Sequence, residues 1–179
     1  MNLRDLPWRP FAWLVSRRPV FEWLRARALQ HPYTHIGPDD NRYMWRYWLF
    51  NPYGKDADDN VTPPRWTWLP SVRLHLIMRP DKDRHLHDHP WNARTIVLKG
   101  YYIEEREPTY RSRCVFVPIF TRLRGYTGRL LFGQYHRIRA VPEDGVWTMF
   151  WTWKKRGTWG FNVDGQKVHY KEYLKENDI

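Results

Sequence analysis

Apolar and polar positions alternate with a period of two along much of this chain. In the segment 72–78 one face is apolar and the other is mixed: Val72, Leu74, Leu76 and Met78 against Arg73, His75 and Ile77. Because side chains two residues apart share a face of a strand, this pattern predicts a half-buried strand. Further strands are predicted at 42–50, 94–99, 101–106, 110–117, 130–138, 146–153 and 168–170, with turns at 51–64, 80–83 and 122–129. Many short strands separated by turns are typical of a β-sandwich or barrel.

The N-terminal part of the chain has a different pattern. Residues 1–35 favour helix, because Pro10 and Pro19 fit first-turn positions and the apolar residues of 20–30 form a helical stripe. The helix is expected to end near His31, since a residue that precedes a proline avoids the helical conformation. The simplest interpretation is a helix packed on the outer wall of the barrel, and an arm that binds a membrane surface or a partner is the alternative.

A chain of 179 residues without an internal repeat or a linker predicts a single domain, residues 1–179. Within it we expect an N-terminal helical extension at 1–35 and a β-barrel at 42–170. The segment 170–176 is expected to close the chain as a short helix.

The composition supports the β interpretation and narrows the setting. Twelve Trp and eleven Tyr favour pleated surfaces, where aromatic rings pack well. Cys114 is the only cysteine, so no internal disulfide can form, and a reducing cytoplasm is expected. No apolar run reaches the roughly 18 residues of a membrane span. The net charge of +11 is spread along the chain, which indicates a generally basic surface and leaves open an anionic ligand or nucleic acid.

Three histidines carry the main chemical signal. His87 and His89 are two residues apart, so on a strand both rings point to one side. His136 lies in a later predicted strand and could complete a site from across the barrel. Imidazole clusters of this kind suit Zn, Cu, Fe and Ni, so the pattern predicts a metal centre.

The spacing resembles the two signature motifs of the cupin superfamily, G-x5-H-x-H-x3-E-x6-G and G-x5-P-x-G-x2-H-x3-N. The matching residues are His87, His89, Gly100, Gly125, Gly133 and His136. Four positions depart from the motifs: Asp81 for Gly, Ala93 for Glu, Leu131 for Pro and Ala140 for Asn. The resemblance covers about 81–140 and implies a mainly β fold, a cupin-like double-stranded β-helix or jelly-roll barrel. The chain also looks similar to uncharacterised cupin-like proteins of bacteria and phages.

Ala93 stands where most cupins have their one carboxylate ligand, and a methyl group cannot bind metal. Glu104 or Glu105 on the next strand could replace that carboxylate, and His85 shares the face of His87 by strand parity. Otherwise the site consists of three neutral imidazoles. It then resembles the three-histidine cupins, which include iron dioxygenases acting on thiols and on diketones. The resemblance implies a divalent metal, Fe(II) first, with Zn, Ni, Mn and Cu as alternatives.

The function that follows is a metal-dependent oxidoreductase of the Fe(II) dioxygenase type, acting on a small anionic or polar substrate. Arg94, Tyr102 and Tyr135 are the expected catalytic or substrate-anchoring residues, and Arg73 is a further anchoring candidate.

Two other functions remain open. The first is a non-enzymatic cupin that binds a nucleotide, a sugar or another anion in order to sense or sequester it. The second is a protein that binds or modifies nucleic acid, in which Trp147, Trp151 and Trp153 would stack on bases. These rings are more simply explained as a barrel wall under the N-terminal helix. A homodimer is a further expectation, and no membrane partner is expected.

Overall fold

A computed structural model of the chain describes residues 5–56, 61–111 and 114–177. The side chains of Lys55, 109–111, 114 and 115 lie outside this description, so Cys114 is placed only by its backbone. The helices described are α1 (Trp8–Val15), α2 (Arg18–Leu29) and α3 (Tyr170–Glu176). The strands are β1 (Met44–Phe50), β2 (Gly54–Lys55), β3 (Val61–Thr62), β4 (Ser71–Ile77), β5 (Trp91–Lys99), β6 (Tyr101–Arg106), β7 (Thr109–Arg111), β8 (Cys114–Phe116), β9 (Ile119–Leu123), β10 (Thr127–Leu130), β11 (His136–Ala140), β12 (Val146–Lys155), β13 (Gly160–Val163) and β14 (Gln166–His169).

The first sheet is antiparallel and has the strand order β1-β4-β12-β5-β10. Its register places Phe150 opposite Arg73 and Thr148 opposite His75, so these side chains share the face that lines the interior. The alternate positions of β4 and β12 face the other way, towards the N-terminal helices. Both faces of this sheet are therefore covered.

The second sheet contains β11, β6 and β9, and it is extended by the β13-β14 hairpin through a single bridging residue. That residue is His87, which pairs with His136 of β11 on one side and with Phe161 of β13 on the other. The two sheets enclose a shared apolar cluster formed by Ile77, Val97, Tyr102, Ile138 and Val146. The predicted mainly β, cupin-like jelly-roll is confirmed by this arrangement.

The N-terminal helices cover the outer face of the first sheet, as predicted. Trp8 of α1 meets Trp151 with ring centroids 5.2 Å apart, and Phe21 of α2 meets Trp147 at 5.8 Å. Trp147 and Trp151 of β12 are therefore packed as a wall under the helices, whereas Trp153 is 38% exposed. Among the described residues, no helix is both long enough and apolar enough to cross a membrane.

Several predicted boundaries are wrong. The helix predicted over 1–35 is interrupted between α1 and α2. After α2 the chain is extended and forms β-bridges from Pro32 and Ile36 to β1. The predicted turn at 51–64 contains the small β2-β3 hairpin. The segment 110–117 is not one strand, since β7 and β8 pair there as a hairpin. The segment 130–138 is also interrupted, by a turn in which Gly133 has a φ of +79°.

Gly100 provides a test of the turn between β5 and β6. Its φ is +81°, and a Cβ at this position would lie 3.0 Å from the carbonyl oxygen of Gly145. Gly165 has a φ of +84° but no atom within 4 Å of such a Cβ, so it is a matched control. We expect Gly165→Ala to lower the unfolding free energy by about 1 kcal/mol for the backbone conformation alone, and Gly100→Ala to lower it by at least about 1 kcal/mol more. Urea denaturation of both variants measures the difference, and equal losses would contradict the steric part of this explanation.

Candidate metal centre

The three predicted metal ligands are brought together inside the barrel. The N–H of His87 donates to the carbonyl oxygen of His136, the N–H of His136 donates to the carbonyl oxygen of His87, and both N···O distances are 2.9 Å. The two rings lie 4.8 Å apart between centroids. Nε2 of His89 is 2.9 Å from Nε2 of His136. The ligand nitrogens of the three residues all lie within 4.8 Å of one another.

The segment that carries His87 and His89 is not a regular strand. Between β4 and β5 only His87 takes part in a bridge, and the chain bends at Arg84 and His85. The bridge is held from the far side by the N–H of Asp88, which donates to the carbonyl oxygen of Gly160 at 3.0 Å. This two-sided pairing fixes the rotation of the backbone at His87 and so directs its ring inward.

Burial keeps two of the rings neutral. It lowers the pKa of His87 to about 4, although Asp81 partly opposes the shift. Burial also lowers the pKa of His89 well below its usual value, and the neighbouring His136 and His87 contribute to that effect. Because a metal is bound by the unprotonated imidazole, both rings have a lone pair available at neutral pH.

A buried carboxylate stands behind His136. Oε1 of Glu104 lies 3.1 Å from Nδ1 of His136, and the same carboxylate pairs with Arg106 at 2.9 Å and with Arg122 at 2.8 Å. The ring is not aligned for a linear bond, and among the described residues Nδ1 has no better partner. Burial alone would raise the pKa of Glu104, but His136, Arg106 and Arg122 together lower it to about 2. Glu104 therefore stays ionised and faces Nδ1 of His136 with its negative charge.

A second carboxylate lies behind His87. Oδ2 of Asp81 is 3.8 Å from Nδ1 of His87 and accepts a hydrogen bond of 2.7 Å from the N–H of Ile138. Oδ1 accepts from the hydroxyl of Tyr43, whose pKa is raised by burial and by the same carboxylate. With Nδ1 of both His87 and His136 facing carboxylates, Nε2 of each ring is the atom left for a metal.

The cluster itself contains no carboxylate oxygen among the described residues. Ala93 packs against Leu130 and Phe150 on the inner face, where the cupin motifs have Glu. Neither predicted substitute joins the cluster, because Glu104 contacts the far side of His136 and Glu105 pairs with Arg137 at 2.8 Å. Glu104 is nevertheless fully buried, with an exposure of 0%.

Two further histidines lie outside the cluster. His85 is turned aside by the bend, and its Nδ1 is 2.9 Å from the hydroxyl of Tyr173 on α3. The interpretation of His85 as an extra ligand is therefore wrong, because strand parity does not apply across a bend. His75 is buried on the inner face of β4, where its ring stacks on Phe150 at 5.0 Å.

The residues predicted to be catalytic are not gathered at the histidines. Arg94 faces the helical layer on the outer side of β5, bonded to Thr127 at 2.9 Å and to Asp5 at 2.5 Å. Tyr135 precedes His136 and is half-buried, and burial and then Asp88 raise its pKa. Tyr102 does face the interior, but it packs in the apolar cluster, and among the described residues no ring contact joins it to the histidines. The structure therefore places Arg94 and Tyr102 away from the cluster, and Tyr135 beside it only as the chain neighbour of His136.

The sequence analysis missed Asp81 as a partner of the site. The available signal was its position: an acidic residue stands at the motif position where Gly is usual, six residues before His87. For Glu104 the signal was the two-residue spacing of Tyr102, Glu104 and Arg106, which places all three side chains on one face of the strand.

The residues present fit a metal ion in their donor set. Three imidazole nitrogens converge, two of the rings are held neutral, and the other nitrogen of two rings faces a carboxylate, which is the usual surrounding of metal-bound histidine. Nitrogens bound to one ion at about 2.1 Å lie at most about 4.2 Å apart, so a pair separated by 4.8 Å must draw in by at least about 0.6 Å. A small ring rotation would accomplish this.

No protein-family model and no curated protein matches this chain. Among solved structures, the chain is similar to Fe(II)-HppE with the alternative substrate (S)-1-HPP, at 9% identity over 69% of this chain and 57% of that one, with a TM-score of 0.48. It is also similar to a cupin-like protein from Thermotoga maritima, at 16% identity over 80% of this chain and 94% of that one, with a TM-score of 0.44. A cupin 2 conserved barrel domain protein from Rhodopseudomonas palustris has 13% identity, coverage of 83% of each chain and a TM-score of 0.45.

This chain spans little more than half of the length of HppE, and similarities at this level carry no conclusion about chemistry. The resemblance to the cupin superfamily is confirmed by the two-sheet barrel itself and by the convergence of the three motif histidines within it.

His75 provides a test of how burial controls protonation near the site. Burial lowers its pKa well below the usual value, and Arg73 and Arg46 act in the same direction. A group whose folded pKa is lowered binds a proton more weakly in the folded than in the unfolded state. The stability it contributes is therefore present above the unfolded pKa of about 6.5 and is lost as the pH falls below it. When the pH is lowered from 6 to 5, we expect the unfolding free energy of the metal-free wild type to fall by about 1 kcal/mol more than that of metal-free His75→Phe. Urea denaturation at the two pH values measures this, and an unchanged pH dependence would contradict the assignment.

Proposed function

We propose that this protein is a metal-dependent enzyme of the Fe(II) dioxygenase type, acting on a small anionic or polar substrate. The observation that carries the proposal is the convergence of His87, His89 and His136 with no carboxylate in the cluster. Imidazole ligands bring no negative charge, so a divalent ion held by these three rings keeps its full positive charge, and three protein ligands leave other coordination positions open. The metal, when bound, supplies Lewis-acid and redox chemistry at those positions.

The chain's own residues then bind and orient. Glu104 and Asp81 hold the rings of His136 and His87 by their Nδ1 side and keep the tautomer that presents Nε2 to the interior. Phe150, whose ring lies 5.5 Å from that of His89, gives the site an apolar wall that limits water.

A non-enzymatic barrel that binds an anionic ligand is the second candidate. It is favoured by the position of Arg94 on the outer face of the sheet and of Tyr102 within the apolar cluster, because neither of these two predicted residues lies at the histidines. The two candidates differ in whether bound Fe(II) consumes oxygen.

Metal binding is tested by titration of the purified, metal-free protein with Zn(II) and, without oxygen, with Fe(II). We expect about one equivalent to bind, and His87→Ala, His89→Ala and His136→Ala each to weaken the affinity by at least about 100-fold, since each removes one of three ligands. His85→Ala is the control and should bind as the wild type does, because its ring contacts Tyr173. Unchanged affinity in the three ligand variants would remove the proposal.

The carboxylate behind His136 is tested by Glu104→Gln. We expect the metal affinity to fall by about 10- to 100-fold, because loss of the charge weakens the orientation and basicity of the ring. Glu105→Gln is a matched control on the same strand, as its carboxylate pairs with Arg137 outside the cluster. The same titration measures both variants, and similar behaviour of the two would show that Glu104 has no role in the site.

Turnover is tested with an oxygen electrode on Fe(II)-loaded protein and a panel of small carboxylate-bearing thiols and 1,3-diketones. We expect at least one compound to cause oxygen uptake that is lost in His136→Ala. If no compound does so, and anionic ligands raise the melting temperature equally with and without metal, the binding barrel is the better description.

A further inference from the structure

Arg73 is a buried cation with no opposite charge beside it in the described part of the chain. Four residues with a charged side chain are buried among those described, and three of them have an oppositely charged partner: Arg94 with Asp5, Asp88 with Lys167, and Glu104 with Arg106 and Arg122. Arg73, at 2% exposure, has no carboxylate partner among the described residues. Its Nη1 donates to the hydroxyl of Tyr53 at 2.6 Å, and its Nε finds no acceptor among the same residues.

The guanidinium lies in a cage of aromatic rings on the inner face of the first sheet. Five ring centroids lie between 5.2 and 5.7 Å from its Cζ: those of Tyr33, Trp48, Tyr53, Trp91 and Phe150. Ring faces attract a cation, but they do not accept its N–H groups as an oxygen does. The cage therefore stabilises the charge and leaves hydrogen-bonding capacity unused.

A second guanidinium adds to the uncompensated charge. Arg46 lies over the same Tyr33 ring at 4.7 Å, and its Nε donates to the carbonyl oxygen of Thr34 at 2.6 Å. Among the described residues it also has no carboxylate partner. Burial and then the nearby Arg73 lower the pKa of Arg46 to about 10, so Arg46 remains cationic at neutral pH.

The cage borders the histidine cluster. Phe150 is shared, with its ring centroid 5.6 Å from Cζ of Arg73 and 5.5 Å from the His89 ring. Arg73 therefore lies within about 11 Å of the His89 ring. Part of the rim of the cage faces solvent, because Tyr33, Arg46 and Trp91 are half-buried.

We propose that Arg73, assisted by Arg46 and Tyr53, binds an oxyanion of the ligand, a carboxylate or a phosphate, while the rest of that molecule extends to the histidine cluster. The planar fork of Arg73 can donate two parallel N–H bonds to such a group. Burial raises the pKa of Tyr53 to about 12, so its hydroxyl keeps its proton and can donate as well. The second contact of the ligand rests on the proposed function, but the oxyanion site itself does not require a metal.

The test uses metal-free protein and two probes, inorganic phosphate and malonate, with binding followed by calorimetric titration. We expect the wild type to bind at least one probe at millimolar concentration or tighter, and the probe that binds identifies the preferred anion. We expect Arg73→Met to weaken that binding at least tenfold and Arg73→Lys to weaken it less, because lysine keeps the charge and loses the fork. Arg25→Met is the control: this partly exposed arginine pairs with Glu22 at 2.7 Å and lies over Trp147, so it should leave binding unchanged.

Should Arg73→Met fail to fold, Tyr53→Phe and Arg73→Lys take its place, and each should weaken binding of the probe at least twofold. Failure of the wild type to bind either probe at tens of millimolar, or equal affinity in the wild type and the Arg73 variants, would overturn the proposal. His87→Ala/His136→Ala separates this site from the metal centre: it should lose metal and still bind the probe. Retained metal binding in a wild type that binds no anion would refute the oxyanion site and leave the proposed function standing.

Discussion

The pair of backbone hydrogen bonds between His87 and His136 is the contact on which the site depends. It joins the irregular segment before β5 to the first residue of β11, and it holds two rings that are distant in sequence at a centroid separation of 4.8 Å. The same residue, His87, also pairs with Phe161 and so completes the second sheet. The same pairing at His87 therefore forms the site and closes the barrel, and a change that separates these strands would remove both.

Charge inside the barrel is arranged in layers around the histidines. Glu104, with its arginine partners, and Asp81, with Tyr43, lie behind the rings, where they orient imidazole without neutralising a bound ion. On the other side of Phe150 lies Arg73 in its aromatic cage, with no carboxylate partner among the described residues. A divalent ion at the histidines would add further positive charge to this interior. An anionic ligand would balance this positive charge, and by contacting both groups it would connect the metal centre with the oxyanion site.

The limits of strand parity explain how much could be predicted from the sequence. Within regular strands, parity predicts the faces well, and the alternation over 72–78 is observed in β4. By the same rule the inward position of Ala93 requires its neighbour Arg94 to face outward, which is incompatible with the predicted role of Arg94 at the site. In the irregular segment before β5 parity fails, and His85 turns away at a bend that the sequence pattern did not predict. The alternation along β6 indicates the inward face of Glu104 and Arg106, but local pattern does not predict the second arginine partner, because Arg122 lies on β9 and is brought beside Glu104 only by the register of the sheet.

Crystals soaked in Zn(II), with anomalous diffraction data collected at the metal edge, test the central claim most directly. The account predicts one dominant anomalous peak within about 2.2 Å of Nε2 of His89, His136 and His87. A dominant peak at any other position, or no peak at these rings in a fully soaked crystal, would contradict it.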